Sequence, residues 1–260
     1  MNLNLKNKYA VVCGSTAGIG KATAIELAKE GAIVTLVARN EDKLKQTLLE
    51  LENSESHNYI VADFSNPDEL KEKVIEFIAQ NHGFHILVNN TSGPAGGPVF
   101  SATLGEFENA FVQHLKCNHI LAQSVVPFMK EVGYGRIINI ISTSVKQPLD
   151  GLGVSNTIRG AVANWSKTLA NELGQFGITV NNVLPGATGT ERLTEIIKNK
   201  SSKTGKSEDE AAEAMKQAVP AKRFAQPKEL AYAVTFLASE CASYINGINL
   251  PVDGGRTKSL

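Results

Sequence analysis

A glycine-rich segment follows a short apolar run near the start of the chain. Residues 13–20 read Cys-Gly-Ser-Thr-Ala-Gly-Ile-Gly and precede an amphipathic stretch at 21–30. Glycines at a strand-to-helix turn let the backbone approach a pyrophosphate closely, and the free N–H groups of the helix start attract its negative charge. The segment therefore predicts a dinucleotide site built on Gly14, Ser15, Thr16, Gly18, Ile19 and Gly20.

The end of the second apolar run distinguishes between the two common dinucleotides. Residues 33–37 are followed by Ala38, Arg39 and Asn40. An NAD site commonly carries Asp or Glu here to bind the ribose hydroxyls, whereas a guanidinium suits the 2′-phosphate of NADP. We expect NADP rather than NAD, with Arg39 at the phosphate. The alternative is that Arg39 is a solvated surface cation.

Short apolar runs alternate with helical patterns, and these elements must position the glycine turn. Strands are predicted at 9–13, 33–37, 59–62, 86–88, 137–141, 179–183 and 247–252. Helices are predicted at 21–30, 41–51, from Pro67 onward, and at 104–131, 156–174 and 227–237. This alternation implies parallel strands joined by right-handed crossovers. We expect one α/β, Rossmann-like, doubly wound domain over residues 1–260, with about seven parallel strands and helices on both faces.

Composition excludes several classes of function. The chain has 260 residues, of which 42% are hydrophobic, and its 26 Lys and Arg balance its 26 Asp and Glu. That balance argues against binding nucleic acid or an anionic membrane through bulk charge. No apolar run reaches the roughly 18 residues of a spanning helix, and the first eight residues lack the apolar stretch of a secretory signal. We therefore expect a cytoplasmic protein that binds neither nucleic acid nor membrane.

The cysteines and histidines give no metal signature. The three cysteines are far apart and form no Cys-x-x-Cys motif, so neither a disulfide framework nor a zinc site is indicated. The histidines outside the candidate site are dispersed and form no ligand cluster. We expect no metal.

A polar segment interrupts the pattern after the sixth predicted strand. Residues 198–210 are almost entirely polar or charged. One interpretation is a solvated loop and helix face. The other is a mobile flap over a ligand site, because ligand-binding loops of such sheets follow the strand ends. We predict a substrate flap at 190–220.

Together these motifs resemble the short-chain dehydrogenase/reductase family over nearly the whole chain, and the nearest branch is that of the 3-oxoacyl-carrier-protein reductases. Residues 14–20 are similar to its glycine turn, residues 89–93 to its Asn-Asn-Ala-Gly motif and residues 252–255 to its C-terminal segment. The resemblance implies a homotetramer or, less often, a homodimer. It implies further cofactor contacts from Asp63, Phe64, Asn90, Pro185, Gly186, Thr188 and Thr190.

The chain departs from this family at the catalytic positions. The family pattern has a serine after the fifth strand, a tyrosine about thirteen residues later and a lysine four residues after that. Ser142 matches the serine, but the next two positions fall on Ser155 and Arg159. None of the five tyrosines is followed by lysine at the fourth position. A serine hydroxyl is a weaker acid than a phenol, and arginine does not readily give up its proton.

Two residues are candidates for a substitute proton donor. His114 falls at the family's helical asparagine position and has an ordinary pKa near 6.5, which suits proton transfer. Lys146 lies four residues beyond Ser142. The alternatives are a packed structural histidine and a solvated loop lysine. Arg159 would hold the cofactor or clamp a substrate carboxylate, so an anionic small-molecule substrate is one expectation.

Three hypotheses follow. The first is an NADP(H)-dependent oxidoreductase acting on a carbonyl or alcohol through an atypical proton relay, with Ser142 binding the substrate oxygen. The second is a lyase, dehydratase or isomerase that uses the same pocket. The third is a pseudoenzyme that binds the cofactor to regulate a partner or to stabilise its own fold. Retention of the nucleotide motifs favours the first two, and loss of the Tyr/Lys pair favours the last two.

Overall fold

A computed structural model describes residues 1–259, which is the expected domain except for Leu260. Its sheet has seven parallel strands in the order β3-β2-β1-β4-β5-β6-β7. Chain order reverses direction between β1 and β4, and such a switch point opens a crevice at the carboxyl ends of the strands. The strands are β1 (Tyr9–Cys13), β2 (Ile33–Ala38), β3 (Asn58–Val61), β4 (Ile86–Asn89), β5 (Gly135–Ile140), β6 (Ile178–Pro185) and β7 (Asn249–Val252).

Helices cover both faces of the sheet, which confirms the predicted single Rossmann-like domain. Alternation of strand and helix is not strict, because α4 continues through a π-helical turn, Val112–Lys116, into α5, and three helices separate β6 from β7. The helices are α1 (Gly18–Lys29), α2 (Glu41–Leu48), α3 (Pro67–Gln80), α4 (Leu104–Phe111), α5 (Cys117–Glu131), α6 (Gly153–Leu173), α7 (Glu191–Thr204), α8 (Glu208–Gln217) and α9 (Pro227–Ala238).

Local signals explain where several helices begin. Asn66 caps α3 by accepting a hydrogen bond from the backbone N–H of Glu69, and Pro67 occupies the first helical position. Asn40 caps α2 through the N–H of Lys43. The end of α2 was predicted less well, because the helix stops at Leu48 rather than at residue 51.

The core has two halves, one on each side of the sheet. Val12 packs in the cluster that includes Leu27 and Leu230, whereas its neighbour Val11 packs in the cluster that includes Leu121. Successive strand residues point to opposite faces, so a strand covered on both sides reads as an unbroken apolar run. Each such buried side chain stabilises the fold by about 2 kcal/mol.

Four asparagines cross the carboxyl half of the sheet in register. Asn89, Asn139, Asn182 and Asn249 are partners on β4, β5, β6 and β7. Each side-chain amide donates to the next, with N–O distances of 2.8 Å from Asn89 to Asn139, 3.0 Å from Asn139 to Asn182 and 2.9 Å from Asn182 to Asn249. This polar ladder was not predicted, and it links the last four strands beneath the crevice.

The cysteines lie outside the crevice lining and are free thiols. Burial raises the pKa of the Cys13 thiol well above its usual range and that of Cys117 to about 12, so neither is a nucleophile at neutral pH. Among residues 1–259 no group of His, Cys, Asp or Glu is arranged to hold a metal ion. Every helix in the same range is too short or too polar to cross a membrane.

Candidate functional site

A cleft of about 580 Å³ opens at the carboxyl ends of the strands, where the switch point predicts a ligand site. The loops that follow β1 to β6 all contribute to its walls, together with α6 and α7. The residues that were predicted from sequence and line the cleft are Gly14, Thr16, Gly18, Ile19, Arg39, Asp63, Phe64, Asn90, Ser142, Ser155, Arg159, Pro185, Gly186, Thr188 and Thr190.

The glycine turn has no room for larger residues. Gly14 and Gly18 have φ values of +58° and +54°, in the left-handed region that glycine adopts most readily. A Cβ atom on Gly20 would lie 2.2 Å from the carbonyl oxygen of Gly14. The Asn90 amide donates to the carbonyl oxygens of Cys13 and Gly14, at 3.2 and 3.3 Å. The turn thus brings bare backbone and the first turn of α1 to the cleft, which fits a pyrophosphate.

Two residues of the predicted set support the turn from behind rather than lining the cleft. Ser15 is fully buried, and its Oγ accepts a hydrogen bond of 3.0 Å from the N–H of Val37 on β2. Gly20 allows α1 to pack closely against the turn. The Ser15 side chain therefore ties two strands together, and the glycine spacing alone could not distinguish this role from ligand contact.

Cations and an aromatic ring line one end of the cleft, beyond β2 and β3. Arg39 and Lys43 line this end with Asp63 and Phe64. Burial raises the pKa of Asp63, but hydrogen bonds from Ser65 and the charge of Arg39 outweigh it, so the net pKa is below its usual range. The carboxylate is therefore ionised. This end offers two cations, one directly after β2 and one on α2, and no acidic residue directly after β2, an arrangement that suits a phosphate on the adenosine ribose.

Hydroxyl groups and a guanidinium line the other end of the cleft. Ser142 follows β5, and its Oγ accepts a hydrogen bond from the N–H of Ser144 at 3.0 Å. Ser155 and Arg159 lie one turn apart on α6, so they share a face. Arg159 donates from Nη1 to the carbonyl oxygen of Ile140 at 3.0 Å. The structure thus brings the three predicted residues together.

Arg159 is only 7% exposed. Burial, together with the nearby charge of Arg192, lowers the pKa of its guanidinium to about 10. A pKa of about 10 still leaves the group protonated at neutral pH. Arg159 is therefore a cation at this end of the cleft rather than a proton donor.

His114 lies behind the cleft wall, in the π-helical turn between α4 and α5. It is 2% exposed, and its Nδ1 is 2.6 Å from Oγ1 of Thr91, which does line the cleft. Burial and the charge of Arg159 lower the pKa of the imidazole to about 2. This corrects the expected pKa near 6.5, because a buried ring beside a cation stays neutral at neutral pH. His114 therefore lacks the acidic second proton of an imidazolium at neutral pH.

Lys146 lies just beyond the short 3-10 turn Thr143–Val145 and outside the residues that line the cleft. The segment predicted as a flap contains two helices, α7 and α8, of which only α7 reaches the cleft. The polar character of this segment reflects helix faces that are exposed to solvent. Ala211 is the one buried residue of α8.

Sequence and structure comparisons agree with this geometry. A profile of the family described as enoyl-(acyl carrier protein) reductase matches residues 14–257. The chain belongs to the short-chain dehydrogenase/reductase family. It is similar to glucose 1-dehydrogenase of Gluconobacter oxydans, with 35% identity over 256 residues that cover 96% of this chain and 92% of the relative.

Two further proteins similar to this chain are named with NADPH. The NADPH-dependent reductase BacG of Bacillus subtilis is 28% identical over 259 residues, covering 98% of this chain and all of the relative. The crystal structure of L-sorbose reductase from Gluconobacter frateurii, complexed with NADPH and L-sorbose, has a TM-score of 0.92 and 32% identity, with both chains fully covered.

Within this short-chain dehydrogenase/reductase, the cleft residues that were not predicted from the sequence include Lys43, Thr91 and Arg192. Lys43 lies on α2 and gave no signal beyond its charge. Thr91 stands where the family motif has alanine, and that substitution was its only signal. Arg192 follows the loop ending at Thr190 and lies in the first turn of α7. Neither has a distinctive spacing, because their roles depend on contacts between distant segments.

Proposed function

We propose that this protein is an NADP(H)-dependent oxidoreductase that interconverts a carbonyl and an alcohol on a small molecule. The observation that carries the proposal is the continuity of one cleft. It connects the cationic end at Arg39 and the glycine turn with the hydroxyl groups of Ser142 and Ser155. The two relatives described with NADPH support this choice of cofactor.

Different lining residues would hold different parts of the cofactor. The turn at Gly14 and Gly18 would hold the pyrophosphate and Arg39 the 2′-phosphate, while Asp63 and Phe64 would contact the adenine. The loop after β6 would cover the nicotinamide with Pro185, Gly186, Thr188 and Thr190. When bound, NADPH supplies the hydride.

The chain's own groups must then handle the substrate oxygen and its proton. Ser142 orients the oxygen by hydrogen bonding, with Ser155 beside it. Arg159 retains its proton at neutral pH, and His114 is neutral. Water held by the two serine hydroxyls is therefore the proposed proton source. Thr91 and His114 serve to fix the neighbouring wall.

The helical pair α7–α8 is the proposed substrate flap, because the first turns of α7 line the cleft next to the loop after β6. A homotetramer or homodimer and a cytoplasmic location stay predictions. A homo-oligomer would be detected by light scattering of the purified protein.

A second candidate function is a cofactor-binding pseudoenzyme. The neutral state of His114 favours it, since an uncharged imidazole is a much weaker acid than the imidazolium that a substitute proton donor would need. In that case the cleft binds NADPH but catalyses no turnover.

A titration and an activity screen separate the two candidates. NADPH fluorescence titration is followed by a panel of ketones, aldehydes and oxo acids monitored by NADPH consumption. We expect binding and turnover, with Ser142→Ala lowering turnover at least about 100-fold at an unchanged NADPH affinity. Ser144→Ala is the matched control, because its hydroxyl is buried outside the cleft lining.

Tight binding without turnover on any compound would favour the pseudoenzyme. Absence of NADPH binding at millimolar concentration would overturn both candidates.

A further inference from the structure

Arg159 is a buried charge for which residues 1–259 provide no counter-ion. Its one hydrogen bond within the described part of the chain goes to a neutral carbonyl oxygen, that of Ile140. Within residues 1–259 no carboxylate forms an ion pair with it. A guanidinium has five N–H donors in a planar fork, so most of its donors face the cleft or its wall. An unpaired buried charge is costly, and a bound anion would relieve that cost.

A second guanidinium stands nearby on α7. Arg192 and Arg159 line the same cleft, and the charge of Arg192 lowers the pKa of Arg159. Arg192 lines the cleft and is held by the carbonyl oxygen of Pro94 at 2.6 Å and by Glu195 at 3.2 Å. Glu195 and the neighbouring Glu191 are both exposed. Both glutamates also line the cleft, and Glu195 pairs with Arg192, but among residues 1–259 neither glutamate forms an ion pair with the buried guanidinium of Arg159.

The phosphates of the cofactor lie too far away to supply this anion. Arg159 is fixed to the end of β5, which is two strands from the glycine turn after β1 and three strands from Arg39 after β2. Neighbouring strands are about 4.8 Å apart, so these separations are about 10 and 14 Å. The anion must therefore come from the other ligand of the cleft, the substrate.

We propose that Arg159 and Arg192 form a carboxylate-binding subsite, and that the substrates of this protein are oxo acids or the corresponding hydroxy acids. The inference rests on the proposed oxidoreductase function of the same cleft. Ser155 is one helical turn, about 5.4 Å, from Arg159. A carboxylate on Arg159 thus places a carbonyl one or two carbons away beside Ser142 and Ser155. Two fixed guanidinium groups suit the planar carboxylate through bidentate hydrogen bonds.

The test compares each acid with its own uncharged ester. Calorimetric titration of the protein saturated with NADP⁺ measures binding of 2-oxobutyrate, 3-oxobutyrate and their methyl esters, in complexes that cannot turn over. At least one acid is expected to bind about 10- to 100-fold more tightly than its ester, the range for charge-assisted hydrogen bonds. Arg159→Gln should reduce this ratio to near one and change NADP⁺ affinity by less than about threefold.

Two further variants provide a second test of the subsite and a control. Arg192→Gln, in the solvated first turn of α7, should also lower the acid-to-ester ratio, so the subsite remains testable if Arg159→Gln does not fold. Arg223→Gln is the matched control, because Arg223 is exposed and does not line the cleft. It should leave the ratio unchanged.

Three results would overturn the subsite. One is equal affinity for acid and ester in the wild-type protein, and another is no binding of either. The third is an Arg159→Gln variant that loses NADP⁺ affinity but keeps its preference for acids, which would make Arg159 a cofactor group. If the wild-type protein still binds NADPH, each of these results contradicts the subsite alone. If the wild-type protein does not bind NADPH, the proposed oxidoreductase function is itself wrong.

Discussion

Oγ1 of Thr91 lies 2.6 Å from Nδ1 of His114, so a residue of the cleft wall is hydrogen-bonded to a buried imidazole. His114 belongs to a π-helical turn, a rare geometry that is frequent at functional sites. Thr91 lies in the loop after β4, and the His114 ring that contacts it is 2% exposed. The imidazole is thereby removed from solvent and from direct contact with the cleft.

This burial makes stability depend on pH. Burial and the charge of Arg159 lower the pKa of His114 from 6.5 to about 2 in the folded protein. The unfolded chain therefore takes up a proton at this residue below pH 6.5 while the folded chain does not. The contribution of the neutral ring is present above pH 6.5 and is lost as pH falls towards 2. His85, whose pKa is lowered to about 4 by burial and by Lys8 and His82, acts in the same direction.

The His114→Asn variant lacks the imidazole that takes up a proton when the chain unfolds below pH 6.5. Below about pH 5.5 the wild-type protein should lose roughly 1.4 kcal/mol per pH unit more than the variant. Urea unfolding followed by circular dichroism between pH 4.5 and 7.5 measures both slopes. Parallel slopes would mean that His114 titrates normally in the folded protein.

Arg39→Ala should weaken NADPH binding about 10- to 100-fold and leave NADH binding unchanged, because only NADPH carries the 2′-phosphate. Fluorescence titration with the two reduced cofactors provides the comparison. Lys45→Ala is the control, since Lys45 lies on the same helix as Lys43 but outside the cleft lining. An equal loss for both cofactors would contradict recognition of the phosphate by Arg39.

The parts of the fold that depend on local pattern could be predicted from the sequence. Val11 and Val12 lie in an unbroken apolar run because their strand is covered on both faces, and Pro67 marks the first turn of α3. The glycine turn could be placed because its chemistry depends on backbone within one short segment. Arg39 directly follows β2 in the sequence, so its position at the cleft could also be predicted.

The features that depend on distant contacts could not be predicted. The burial of His114 is set by a π-helical turn that no residue spacing signals. Arg192 and Arg159 line the same cleft although they are more than thirty residues apart in the chain. Ser15 has a glycine-turn position like that of Thr16, yet its hydroxyl is bonded to β2 rather than facing the cleft.

Gly20→Ala should disrupt the turn. Its new methyl group would lie 2.2 Å from the carbonyl oxygen of Gly14 and 2.6 Å from Nδ2 of Asn90, so the backbone must shift. We expect a loss of about 1–3 kcal/mol in the free energy of unfolding, together with weaker NADPH binding. Gly105→Ala is the control, because a Cβ there meets nothing within 4 Å in helix α4. It should be neutral or gain up to about 1 kcal/mol.

The Gly20→Ala pair is measured by urea unfolding and by NADPH titration on the same preparations. An unchanged NADPH affinity in a folded Gly20→Ala protein would separate the turn from cofactor binding.

Asn139 is the central member of the asparagine ladder and is fully buried. It accepts from Asn89 and donates to Asn182, and it also donates to Oγ of Ser166 at 2.9 Å. Asn139→Leu keeps a similar volume but leaves these three neighbours without their partner. The free energy of unfolding should fall by roughly 2–4 kcal/mol, because buried polar groups that lose a hydrogen bond pay their desolvation cost.

Asn249→Leu provides the matched comparison at the end of the ladder. Asn249 is half-buried and accepts one ladder hydrogen bond, from Asn182 at 2.9 Å. Loss of this hydrogen bond should lower the free energy of unfolding by only about 1 kcal/mol, since water can replace the missing partner at the sheet edge. Urea unfolding of both variants decides the point. Equal losses of unfolding free energy in the two variants would mean that the hydrogen bonds of Asn139 contribute no more to stability than the one at the sheet edge.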